Sequence, residues 1–277
     1  MNFKSKHLQK LAKAVQEQLE HALSWAPVPH ANVASGKPYV TECDGVLSLH
    51  FDKMSIKSEM SLDDTDELVI GYTRAMMSFL LLEPAPKRIA MIGLGGGSLA
   101  KYCYRYLPET DFTVIEIDPD VIALRNEFAI PADDARLHVL LGDGVEWVAD
   151  AANSTDVLLV DGFDVTGLPE ALGRQSFYHD CYASLSDGGI MVANLWGGYP
   201  HYDEYVARIS ASFAGQIAIV DADDSVNKIV LGLKNADFPA ASTIRHYANL
   251  LSETHLLNFQ ANANQLIRAL PGKNAQS

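Results

Sequence analysis

The residues Ile89-Ala90-Met91-Ile92-Gly93-Leu94-Gly95-Gly96-Gly97-Ser98 run from an apolar stretch into a glycine loop. Glycines let the backbone turn tightly and approach a ligand, and a helix that starts beyond them offers free N–H groups. Ser98 stands where a dinucleotide fingerprint has its third glycine. The set Gly93, Gly95, Gly96 and Gly97 therefore suits an adenosyl-sulfonium ligand better than a pyrophosphate. Glu116, with Ile117 beside it, closes the next apolar run, where a carboxylate can accept both ribose hydroxyls. Asp143 and Gly144 close the third run; Asp143 can accept from an adenine amino group, and Gly144 leaves room for the ring. Val160-Asp161-Gly162-Phe163-Asp164 closes the fourth and brings two carboxylates. Each residue alone is an ordinary cap or turn residue. Four successive runs that end alike make one ligand-binding edge.

The elements that must hold these residues alternate. Strands are expected at Arg88–Leu94, Phe112–Ile117, Leu137–Leu141, Val157–Val160 and Ile190–Leu195. Helices are expected at Ser98–Tyr106, Asp120–Phe128, Val145–Asp150, a stretch ending at Ser184, and Tyr202–Phe213. Apolar strands alternating with helices predict an α/β fold, a doubly wound and mostly parallel sheet covered on both faces. Gln216–Val220 and Lys228–Lys234 read as a final antiparallel pair at the sheet edge, which brings the sheet to seven strands.

Leu8, Leu11, Val15, Leu19 and Leu23 mark an N-terminal amphipathic helix that Pro27 and Pro29 end. Tyr39-Val40-Thr41 and Val46–Phe51 flank Asp44-Gly45, a strong hairpin signal, and Met54–Met60 adds a third strand. A helix is expected over Asp66–Leu82, and another helical segment over Thr243–Leu270, broken near Asn258. The chain divides into residues 1–65 (helix and small β appendage), 66–240 (nucleotide-binding catalytic domain) and 241–277 (helical extension). The edges of the small β appendage need cover, which a homodimer would supply.

Acidic residues number 35 against 21 basic ones, a formal net charge of −14. That excludes a nucleic-acid binder that works by blanket phosphate neutralisation, and it favours cationic substrates. The chain has no run of the roughly 20 apolar residues that a membrane span needs, and its first 20 residues lack the apolar core of a signal peptide. Cys43, Cys103 and Cys181 are odd in number and widely spaced, as expected of reduced thiols in a cytoplasmic protein. The histidines lack metal-ligand spacing, so no metal is expected.

Over Leu47–Leu195 the chain resembles the polyamine aminopropyltransferases, the spermidine synthase-like family within the Rossmann-like fold of class I AdoMet-dependent methyltransferases. The resemblance is carried by Asp134–Val139 leading into Gly142-Asp143-Gly144, by Val157–Asp161 with Asp164, and by Gly167 and Ser176-Phe177-Tyr178. It implies an enzyme that moves an aminopropyl group from decarboxylated AdoMet to a polyamine such as putrescine, releasing methylthioadenosine. It also implies roles. Asp161 is the base that takes the amine proton, Asp164 anchors an amine, and Tyr72 and Tyr178 belong to the substrate site.

The chain departs from the family at several positions. The family's glycine-loop aspartate, which grips the aminopropyl ammonium, is Gly96 here; the glutamine after the matched tyrosine is Thr73; an upstream glutamine is Lys57. A late Thr-Tyr-Pro motif is replaced by Ala222–Asn227. An aspartate at position 96 would repel the carboxylate of AdoMet, so its absence predicts weaker discrimination between AdoMet and its decarboxylated form. Two alternatives follow: a methyltransferase that uses AdoMet on a small molecule, or an inactive protein that binds adenosyl ligands.

Overall fold

The computed structural model describes residues 37–52, 56–163 and 167–271. The expected N-terminal helix and Asp164 lie outside these residues, as does Met54 of the expected third strand.

Three short strands, β1 (Tyr39–Cys43), β2 (Val46–His50) and β3 (Ile56–Ser61), form an antiparallel sheet in that order. Asp44 and Gly45 turn the first hairpin with φ of 48° and 77°, the two positive values that a tight two-residue turn demands. The chain then enters helix α1 (Gly71–Met76), which tightens into a 3-10 turn over Met77–Leu81. The helix expected from Asp66 thus begins five residues later. Asp64 is the reason: its carboxylate and carbonyl take the amides of Asp66 and Glu67 and close a turn there instead.

The main sheet has seven strands: β4 (Arg88–Ile92), β5 (Asp111–Glu116), β6 (Leu137–Leu141), β7 (Thr155–Val160), β8 (Leu185–Trp196), β9 (Ile217–Asp221) and β10 (Asn227–Leu233). Their order is β6-β5-β4-β7-β8-β10-β9. All pairs are parallel except those that β10 makes with β8 and β9. The central strands are continuous apolar runs because both faces are buried. Ile89 and Met91 enter one core with the 3-10 turn, while Ala90 and Ile92 enter the other.

The helices on these faces are α2 (Ser98–Tyr106), α3 (Pro119–Ala123), α4 (Gly144–Asp150), α5 (Glu170–Gly173), α6 (Gln175–Ser184) and α7 (Tyr202–Ser212). Helix α3 is shorter than the sequence predicts. Asp118 caps it and Pro119 opens it, but after Leu124 the chain turns, and Phe128 drops into the core. The buried Lys101 ammonium donates to the Phe128 carbonyl over 2.8 Å and holds that turn. Two C-terminal helices, α8 (Ala241–Leu251) and α9 (Phe259–Ala269), close the first face. The Asn258 side chain caps α9, so the expected break falls at that residue.

Leu49 and Met60 of the small sheet, the 3-10 turn, and Phe259 and Leu266 of α9 share one core with the main sheet. The three cysteines are unpaired. Among the described residues no helix is long and apolar enough to cross a membrane.

Candidate active site

The strand register aligns the ends of four strands. Ile115, Ile92, Val160 and Ala193 lie side by side across β5, β4, β7 and β8. One residue further on stand Glu116, Gly93, Asp161 and Asn194. They open into a cavity of about 780 Å³ between this edge, β3 and α1.

One half of the cavity is glycine and carboxylate. Gly93 has φ of +91°, and a side chain there would strike the Asp161 carbonyl, so only glycine fits. The Gly93 amide donates to Ile115 O over 2.9 Å. Glu116 is buried, 7% exposed, and takes the Leu94 amide at 2.7 Å and the Asp118 amide at 2.8 Å. Burial raises its pKa, and these backbone donors oppose the rise. Each Glu116 oxygen keeps a second lone pair for a hydroxyl. Ile117 is 67% exposed beside it and offers an apolar wall. Asp143 caps α4, accepting from Val145 N at 2.8 Å, and lines the cavity with Gly144.

The expected glycines divide. Gly93, Gly95 and Gly144 face the cavity, whereas Gly96 and Gly97 are buried behind it. Gly97, with φ of +68°, turns the chain into α2 against Ile130. A Cβ on Gly96 would lie 2.7 Å from Ser58 Oγ and 2.8 Å from Phe128 Cδ1. The room that an aspartate would need is thus taken by β3 and the α3 turn.

The other half is built around Asp161. Its Oδ1 accepts from Asn194 Nδ2 at 2.9 Å, and the Tyr72 hydroxyl faces the same carboxylate. Burial raises the Asp161 pKa; the hydrogen bond from Asn194, the polar Tyr72 hydroxyl and the charge of Lys57 act against it. Burial and the Asp161 charge together push the Tyr72 hydroxyl well above its ordinary value, so it stays a donor. Phe51, Phe163, Trp196 and Tyr199 supply aromatic walls, and Trp196 and Tyr199 lie 6.4 Å apart.

The structure corrects one expectation. Tyr178 is 1% exposed in the core behind the sheet, packed edge-on to Phe177, and does not reach the cavity. The Ser176-Phe177-Tyr178 segment sits on α6, whose aromatic face packs inward. Tyr178 therefore leaves the substrate set. The role expected for Asp164 falls outside the described residues.

Sequence reasoning missed Asn194, Asn227, Trp196 and Tyr199. Asn194 had a visible signal: it is a lone amide in the apolar run Ile190–Leu195, 3% exposed. The stretch Ala222–Asn227, read above as a lost motif, is tied down. Asp224 Oδ2 accepts the Gly71 amide at 2.7 Å, and the Arg74 guanidinium bridges Asp223 at 2.9 Å and Asp224 at 3.1 Å. Among the described residues no group of three His, Cys, Asp or Glu side chains could hold a metal ion.

Solved structures share this fold. A probable spermidine synthase from Corynebacterium glutamicum superposes with a TM-score of 0.66 at 19% identity, covering 80% of this chain and 88% of the other. A spermidine synthase in complex with the transition-state analogue AdoDATO gives 0.61 at 20% identity, covering 85% and 86%. Human methyltransferase-like protein 13 in complex with SAH gives 0.60 at 24% identity, covering 66% and 91%. Curated relatives are nearer in sequence. The polyamine aminopropyltransferase of Neisseria meningitidis serogroup A is 37% identical over 232 residues, 81% of this chain and 88% of the relative. That of Chromobacterium violaceum is 37% identical over 198 residues, 71% and 76%. The spermine/spermidine synthase domain profile matches residues 57–228, from the β3 lysine to the start of β10 and so across most of the cavity lining, and the chain belongs to that family.

Proposed function

We propose that the protein is an aminopropyltransferase that moves an aminopropyl group from decarboxylated AdoMet to a polyamine such as putrescine. One observation carries the reading: a carboxylate held by Asn194 and faced by the Tyr72 hydroxyl stands between a glycine-lined half and an aromatic half of one cavity. The relatives named polyamine aminopropyltransferase support it.

In this reading Glu116 receives the ribose hydroxyls, Ile117, Asp143 and Gly144 take the adenine, and the glycine loop passes beneath the sulfonium. The amine lies along the aromatic walls, where a cation gains from ring faces. Its nitrogen attacks the aminopropyl carbon next to sulfur. The new C–N bond forms as the C–S bond breaks, and the bonding pair leaves on sulfur as a neutral thioether. The product is methylthioadenosine, and no acid is needed for the leaving group. Asp161 takes the proton that the amine gives up. Holding both partners in line supplies much of the remaining rate. A cytoplasmic location and a homodimer belong to the same reading, and sedimentation of the purified chain tests the dimer.

Incubation with putrescine and each sulfonium compound is the test. Methylthioadenosine and an aminopropylated amine support the reading; S-adenosylhomocysteine with a methylated product replaces it. That second reading, methyl transfer from AdoMet, is favoured by one feature only. Gly96 carries no carboxylate to repel the donor's own.

A further inference from the structure

Asn194 sits in a hydrogen-bonded line whose direction is determined at one end. An ionised carboxylate only accepts, so the Asn194 amide must turn its NH₂ toward Asp161. Its Oδ1 then faces away and accepts from Asn227 Nδ2 at 2.8 Å. Asn227 Oδ1 in turn accepts from the Ser225 hydroxyl at 3.2 Å. The line runs from β8 to the start of β10 and ends in the loop that Asp224 fastens to the first amide of α1. Helix α1 carries Tyr72, whose hydroxyl also faces Asp161. The two supports of the carboxylate are thus braced against each other through one loop.

We propose that Asn194 and Asn227 are positioning residues that hold the Asp161 carboxylate at one rotation, with its NH₂ donor oriented by the second amide. The inference rests on the assignment of Asp161 as the base. A buried carboxylate without such a donor turns toward whatever it can reach and prefers its protonated form. A protonated or rotated Asp161 cannot accept a proton from the amine. The other groups that face it among the described residues are the Tyr72 hydroxyl from α1 and the Lys57 ammonium from β3. Both remain when Asn194 is replaced, so they set the background against which its loss is read.

The experiment is a pH titration of the Asp161 carboxyl carbon by NMR in the full chain labelled at aspartate, with Asp161→Asn identifying the signal. Asn194→Leu should move the midpoint upward by about one pH unit, the size expected when one donor to a buried carboxylate is lost. Asn227→Ala, which leaves Asn194 in place but unoriented, should move it the same way by less. This second variant decides the matter if Asn194→Leu does not fold. A midpoint unchanged from wild type in a folded variant overturns the proposal, whatever happens to its melting temperature. The titration needs no substrate. It stands even if the wild type transfers no aminopropyl group, an outcome that would overturn the function above and not the pair. In an active enzyme the acid limb of kcat/KM should follow the same shift, and an unmoved limb overturns the link to catalysis.

Discussion

The amide of Leu94, in the middle of the glycine loop, donates to Glu116 Oε2 over 2.7 Å. The loop after β4 and the carboxylate that ends β5 are therefore one unit. In the proposed reading, adenosine affinity then depends on the shape of the loop as much as on the oxygens left for the ribose.

Glu116→Gln breaks that unit. A glutamine has one accepting oxygen where the carboxylate uses both, so its NH₂ must face a backbone N–H. A buried unmatched donor costs about 1–3 kcal/mol. Methylthioadenosine should bind at least tenfold more weakly by calorimetry, with kcat much less affected than KM for the donor. Equal affinity would show that the loop holds itself.

Asp161→Asn separates binding from chemistry. The asparagine oxygen still accepts from Asn194, so methylthioadenosine should bind as in wild type while aminopropyl transfer is lost. Unchanged turnover would refute the base assignment. Stability should move as well. Burial raises this carboxyl's pKa in the folded state, so its favourable contribution is present at low pH and lost as pH rises through the folded value. At pH 8 the variant should melt above wild type, and the gap should close toward pH 4. Calorimetric scans at both pH values check this. For the same reason wild-type transfer should fall as pH drops through that raised value.

Gly96→Asp tests whether the absent family carboxylate can be restored by itself. The new side chain meets Ser58 Oγ and the Phe128 ring, so overpacking should cost about 1–3 kcal/mol. A lower melting temperature is expected, with no gain in preference for decarboxylated AdoMet over AdoMet. In wild type the two should bind within about tenfold of each other, since nothing at position 96 repels a carboxylate. Strong preference for the decarboxylated form would place the discrimination elsewhere.

Arg74→Ala should loosen the acceptor half only. The guanidinium holds Leu68 O and Val69 O as well as Asp223 and Asp224, and so sets the entry to α1. Tyr72 rides on that helix. The KM for the amine should rise by about tenfold, a difference of ~1.4 kcal/mol, while methylthioadenosine affinity stays as it is. A rise in the donor's dissociation constant instead would tie α1 to the adenosine half.

The sheet, the glycine loop, and the row of Glu116, Asp143 and Asp161 are legible in the residue pattern alone. Apolar runs with both faces buried must be central parallel strands, and such strands present their ends to ligands. The hairpin at Asp44-Gly45 and the break at Asn258 are legible there too, because turn and cap chemistry is local. Tertiary structure decided what depends on partners far along the chain. Tyr178 could be recognised as a core residue only once α6 was placed against the back of the sheet. Gly96 turned from a missing charge into a filled space because Ser58 and Phe128 arrive there from distant segments. Asn194 and Asn227 belong to one line only because β10 pairs antiparallel beside β8, where no periodicity in either strand records the neighbour. The net charge of −14 pointed toward cationic substrates, yet Asp223 and Asp224, acidic and conspicuous in the sequence, spend their charge on Arg74. Composition sums charges along the chain, whereas only the fold decides which of them face the cavity and which face each other.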